Sequence, residues 1–315
     1  MRFSSPLCFA ALAVLAATIG WSAPVRADQR IHAERSLYRD VSVYQNDQVR
    51  CMVFARAGNA PGLGNPGLGS AGVGSSRQGC IFLQEPDKVV FDYIHLLTGS
   101  LFLEPVPKRI LIVGLGVGTQ TNLLMRVVPG AKIDVVELDP AVVKIARDYF
   151  NFRESENTTV TVQDGRVFVK RSGRAGAIYD LIILDAFGEQ YIPEHMITRE
   201  FIQEVKAIMA PRGVLAVNTF SGSSLYDNES VTYQAVFPKF FNLRMSNRII
   251  IARNGDLPGH AELQANAAML TPALKPFSIA VDKVLSLFTS EPDWKNDARI
   301  LTDQYSPANL LNVTK

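Results

Sequence analysis

The chain has almost no excess of charge. Its 315 residues carry 32 Lys and Arg against 30 Asp and Glu, a formal net charge of +2. Nucleic acid and anionic membrane surfaces are recognised through clustered basic charge, so neither is expected as a partner. Long hydrophobic runs are equally scarce. The longest, near residues 7–21, spans roughly 15 residues, short of the ~20 that cross a bilayer. With Arg2 before it and Val25, Arg26 and Ala27 after it, this run reads as a secretory signal peptide over residues 1–27. Cleavage before Asp28 predicts a periplasmic or secreted protein with zero net charge and no membrane contact; an uncleaved leader would leave a membrane anchor. Cys8 lies near the start of the run, not at its end after small residues, which argues against a lipid-modified cysteine.

Cysteine is rare as well. Only Cys51 and Cys80 lie beyond the leader, and an even count in an oxidising compartment permits a bridge. They fall on two β-like runs, residues 48–54 and 78–83. If these pair as a hairpin, a disulfide closes a loop of about 30 residues and stabilises by roughly 3.5 kcal/mol through chain entropy. Two buried free thiols are the alternative. The intervening residues 58–76 are too rich in glycine and proline for regular structure. No internal repeat is present, and nothing in the pattern calls for a metal.

What the chain has in quantity is apolar residues, 47% of the total, enough for a sizeable core. From Arg109 onward, short apolar strands (residues 110–113, 133–136, 159–162, 181–184 and 214–218) alternate with helical stretches (121–127, 141–150, 165–171 and 199–209). This alternation specifies an α/β fold with a doubly wound, mostly parallel sheet. Residues 241–245 and 248–252 suit an antiparallel edge pair, and one amphipathic stretch, 277–287, follows. The expected organisation is a β-hairpin domain over 28–106, a nucleoside-binding domain over 107–255, and a helix and tail over 256–315.

The first strand of the alternation runs into Gly114-x-Gly116-x-Gly118. A dinucleotide fingerprint would place its third glycine at 119, where Thr119 stands, so the loop suits a single nucleoside better than a pyrophosphate. In an open parallel sheet the ligand lies beyond the carboxyl ends of the strands. Acids stand there: Glu137 and Asp139 after the second strand, Asp164 with Gly165 after the third, and Asp185 after the fourth. Glu137, 23 positions after Gly114, suits a ribose diol, and Asp164 suits an adenine amino group. Each acid also fits a helix cap, and Asp139 before Pro140 fits one best. Together they point to an adenosyl sulfonium cofactor.

On these segments the chain resembles the spermidine synthase family, the polyamine aminopropyltransferases. They are SLYRDVSV (36–43), the glycine loop (109–118), VELDP (136–140), Asp164-Gly165 and YDLIILD (179–185). It looks closest to a divergent exported branch with DAFGEQYIPEH (185–195) and LTD (301–303). The resemblance implies a small N-terminal β domain on a methyltransferase-like Rossmann core. It also implies aminopropyl transfer from decarboxylated S-adenosylmethionine to a diamine such as putrescine, and a homodimer. Asp185 matches the family's proton acceptor; Glu189, Tyr191 and Asp303 are candidates to line the amine channel, though Glu189 and Asp303 suit a solvated surface too. His195 fits packing at a helix entrance.

The chain departs from the family at three substrate-facing positions. Val117 stands where the family's loop carries an Asp that pairs with the donor's amine, Gly188 replaces a second acid, and Arg39 replaces a cofactor-contacting Gln. The donor is therefore either decarboxylated or intact S-adenosylmethionine, and a methyltransferase of unknown acceptor stands beside the synthase. A non-catalytic periplasmic binding protein is the third reading.

Overall fold

The computed structural model of the chain describes residues 28–55, 75–186 and 193–308. Residues 1–27, read above as a signal peptide, and the residues between 55 and 75 lie outside it, as do Gly188, Glu189 and Tyr191. Among the described residues no helix is long and apolar enough to cross a membrane.

Four N-terminal strands, β1 (Gln29–Arg35), β2 (Asp40–Gln45), β3 (Val49–Ala55) and β4 (Ser75–Phe82), form an antiparallel sheet in sequence order. Two of them, β3 and β4, carry the cysteines. Their register places Cys51 opposite Cys80, with the Cα atoms 4.1 Å apart, and the two form a disulfide. Helix α1 (Asp92–Thr98) then leads into the second sheet.

That sheet has seven strands. Its parallel part is built from β5 (Arg109–Val113), α2 (Thr119–Val127), β6 (Lys132–Glu137), α3 (Pro140–Tyr149), β7 (Thr158–Val162), α4 (Gly165–Arg174), β8 (Tyr179–Leu184), α5 (Arg199–Ala207) and β9 (Met209–Phe220). After α6 (Tyr226–Gln234), strands β10 (Phe241–Arg244) and β11 (Asn247–Arg253) add an antiparallel edge, giving the order β10-β11-β9-β8-β5-β6-β7. Four of the five residues of β5 are fully enclosed because helices cover both faces, which is why it reads as a continuous apolar run. Strand order reverses on either side of β5, between β6 and β8, and a crevice opens beyond their carboxyl ends. Residues 114 and 185 begin where β5 and β8 stop.

Side-chain caps fix where three of the following helices start. The Asp139 carboxylate accepts from the Ala141 N–H with Pro140 at the first helical position, Asp164 accepts from Val167, and Thr198 accepts from Phe201.

The two sheets meet through side chains. Val41, Val43, Met52 and Ile81 pack with Val117, Val142, Ile145 and Phe150. Gly79 of β4 has no Cβ, and the Val117 isopropyl group fills the space where one would stand.

The C-terminal region differs from the sequence expectation. Before the expected amphipathic stretch lies α7 (His260–Leu274), which buries Leu263, Ala267, Leu270 and Leu274 along one face. Its exposed face is rich in alanine and carries Met269, and Pro272 sits inside it, so its polarity contrast is weak and a helix stop is suggested early. The stretch itself contains α8 (Val281–Ser286), shorter than its periodicity implied. Strand β9 is also longer than expected, because its first residues continue through Pro211 and Gly213.

Candidate active site

Asp185 stands at the crevice. Its backbone N–H donates to the Val113 carbonyl at 2.8 Å, which ties the end of β8 to the end of β5. The carboxylate accepts from Asn218 Nδ2 at 2.7 Å and from the Tyr93 hydroxyl. Asn247 Nδ2 in turn donates to Asn218 Oδ1 at 2.9 Å, fixing which way the Asn218 amide points. Both direct partners are neutral. Burial therefore dominates and, with the nearby Glu137 charge, pushes the Asp185 carboxyl up to about 7 in spite of the two hydrogen bonds. Tyr93 is raised well above the usual phenol range, first by burial and then by the charge of Asp185.

The glycine loop forms the opposite wall. Gly114 adopts φ 102°, and a Cβ there would collide with the Asp185 carbonyl, so only glycine lets the loop pass this close to the end of β8. Gly114 and Gly116 line the cleft with Gln78, Tyr93, Val117 and Asp185. Gly118 and Gly165, expected at the cofactor, are also required by packing. A side chain at 118 would strike Phe152, and one at 165 would strike Val113 and Met196.

Glu137 buttresses the loop. Its Oε2 accepts from the Leu115 N–H at 3.0 Å and its Oε1 from the Asp139 N–H at 2.9 Å. Burial raises its pKa, while these bonds and the Arg39 charge oppose the rise. Each oxygen keeps a lone pair that could accept from a hydroxyl without breaking either bond. Arg39 lies with its guanidinium 4.3 Å from the Phe54 ring centroid, and its Nε is buried with no hydrogen-bond partner.

Two acids assigned to ligands by the sequence have protein partners. Asp164 caps α4 with Oδ1 and meets His195 Nε2 with Oδ2 at 2.9 Å, and each oxygen keeps a lone pair that could accept from an adenine amino group. His195, in the turn leading to α5, is thus a partner of the cap and is exposed, not packed as the sequence suggested. Asp303 does not line the cleft. Both its oxygens are bonded by Arg166, at 2.6 and 2.7 Å, and one also accepts from Thr198 at 2.7 Å. Arg166 makes a second forked contact with Glu204, at 2.8 and 2.7 Å. The Asp303 carboxyl accordingly lies below its usual range, chiefly through the Arg166 bonds.

Sequence reading missed Tyr93, Asn218, Asn247 and Arg166. Asn218 was within reach, because it is the last residue of the strand expected over 214–218, although β9 itself runs on to Phe220. No local pattern marks Tyr93. Among the described residues no group of three metal-ligating side chains forms.

Fold and site together define a methyltransferase-like Rossmann transferase with a mainly parallel sheet and an N-terminal antiparallel cap. The profile described as the spermine/spermidine synthase domain matches residues 92–245. The polyamine aminopropyltransferase of Vibrio vulnificus (strain CMCP6) is 43% identical over 287 residues, covering 89% of this chain and 91% of that one. The chain belongs to the spermine/spermidine synthase family. The human eEF1A lysine and N-terminal methyltransferase is 27% identical over 241 residues, covering 73% of this chain but 32% of that protein. A solved structure, a probable spermidine synthase from Corynebacterium glutamicum, matches with a TM-score of 0.58 at 18% identity. It covers 85% of this chain and 98% of that one, a likeness of fold.

Proposed function

We propose that the protein transfers an aminopropyl group from decarboxylated S-adenosylmethionine to a primary amine of the diamine class. The observation that carries this reading is Asp185, a carboxyl with a pKa of about 7 whose direct partners are a neutral amide and a phenol. Such a group is ionised often enough near neutral pH to take a proton and basic enough to keep it. The donor supplies an electrophilic carbon beside its sulfonium, the amine nitrogen bonds to that carbon, the carbon–sulfur bond breaks, and methylthioadenosine leaves. Asn218 and Tyr93 aim the carboxylate at the amine and hold its negative charge once it is formed. Glu137 and the Gly114–Gly116 backbone hold the ribose, with the loop kept in shape by the Leu115 N–H bond to Glu137.

An intact S-adenosylmethionine donor, and hence methyl transfer, is the second reading. It is supported by the apolar Val117 on the cleft wall and by the likeness to the human methyltransferase. The reading also includes export through residues 1–27 and a homodimer. Incubating the purified protein with putrescine and each donor separates the alternatives. Methylthioadenosine from the decarboxylated donor supports the synthase, S-adenosylhomocysteine from the intact donor supports the methyltransferase, and neither product leaves a binding protein.

A further inference from the structure

Gln78, Thr119 and Gln120 are polar side chains of the cleft that the proposed reaction has not used. Gln120, in the first turn of α2, is 5% exposed, and its Nε2 and Oε1 are both buried without a hydrogen-bond partner. It lines the same cleft as Val117, Tyr93 and Asp185. A buried carboxamide left unbonded on both its donor and its acceptor is costly, and it calls for a polar partner that the protein itself does not supply. The surrounding wall contributes Val90, Ile94, Leu115 and Val117, which offer the ligand contact but no hydrogen bonds from their side chains.

We propose that Gln120 is the residue that reads the charged end of the donor's sulfonium side chain. This rests on the adenosyl sulfonium reading of the cleft. A carboxamide presents both kinds of group: its Oε1 accepts from an ammonium and its Nε2 donates to a carboxylate. It therefore binds the amine end of a decarboxylated donor and tolerates the amino-acid end of an intact one. A neutral reader in this place accounts for a family member that has valine, not an acid, at 117. Replacing the carboxamide by a carboxylate keeps attraction for the ammonium and adds repulsion for the carboxylate, so Gln120→Glu should create discrimination that the wild type lacks.

The test is binding to the purified full chain and to Gln120→Met and Gln120→Glu, with three probes. These are methylthioadenosine, which has no charged end, decarboxylated S-adenosylmethionine, and S-adenosylmethionine. Methylthioadenosine should bind all three proteins within about twofold, which also reports an intact fold. Gln120→Met should weaken both donors roughly tenfold, the scale of one buried charged hydrogen bond. Gln120→Glu should favour the decarboxylated donor over the intact one by about tenfold or more. If methylthioadenosine binds normally and Gln120→Met leaves both donors within twofold of wild type, the proposal is overturned while the cofactor reading stands. Equal weakening of all three probes also overturns it, by making Gln120 structural. If wild type binds none of the three, the cofactor reading falls and takes this proposal with it.

Discussion

Asp185 and Asp303 are both acids that the sequence placed near an amine substrate, and the structure gives them opposite surroundings. Asp185 is bonded by an amide and a phenol, and its carboxyl is pushed up to about 7. Asp303 is gripped by the Arg166 guanidinium and held below the usual range. Hydrogen-bond number does not separate them, since each carboxylate is well bonded. What separates them is burial first, and then the charge of the partner. A cation stabilises the ionised form and fixes the proton affinity low, while neutral donors in a buried place orient the carboxylate without removing its basicity. A proton acceptor belongs to the second setting and a structural latch to the first.

Asp185→Asn tests the comparison most severely. Turnover should fall by about 10²–10⁴ while methylthioadenosine affinity stays within a few fold. Stability should move the other way. Asp185 ionises at about 7 when folded and near 3.8 when not, so the folded state binds the extra proton between those values and stability falls as pH rises through that window. The neutral amide is free of this penalty. Above pH 7 the variant should be more stable than wild type by on the order of 2–4 kcal/mol, read by denaturant unfolding at pH 5 and pH 8. A variant equally stable at both pH values, relative to wild type, would place Asp185 among ordinary exposed carboxylates.

Glu137→Ala gives the next largest effect and should cost roughly 1–3 kcal/mol of methylthioadenosine affinity, measured by calorimetry, through lost ribose and loop hydrogen bonds. The latch follows. Arg166→Met should destabilise by about 1–2 kcal/mol, because it leaves the partly exposed Asp303 and Glu204 carboxylates without their shared cation. The loss should be smaller in acid, where the two carboxylates are protonated. Turnover in the folded fraction should hardly change. The smallest effect sharpens the comparison: Asn218 lowers the Asp185 pKa, so Asn218→Ala should move the acid limb of the kcat/KM profile upward by less than about one pH unit. A downward shift would contradict the role given to neutral donors.

The parallel sheet was legible because its strands are enclosed on both faces and so appear as unbroken apolar runs, as Ile182, Ile183 and Leu184 do. The strand-end acids were legible for the same reason, since the end of a run is easy to locate. What they bond to was not. Asp303 and Arg166 are 137 residues apart and carry no local sign of their pairing. Tyr93 reaches Asp185 from a helix that precedes the whole parallel sheet. The expectation for Val117 shows the other limit. The resemblance placed it on the loop facing the donor, and it does line the cleft, yet it also fills the gap over Gly79 where the two sheets join.

That gap has a consequence for how such a cleft diversifies over generations. Gly79 and Val117 interlock like a socket and its peg, so neither can be exchanged alone without disturbing the seam between the sheets. An acid at 117 would lie in apolar surroundings unless neighbours such as Met52 and Ile81 changed with it. Drift between donor preferences along the loop therefore requires a coordinated set of substitutions. A position on the helix behind the loop, outside the seam, offers a route one substitution long.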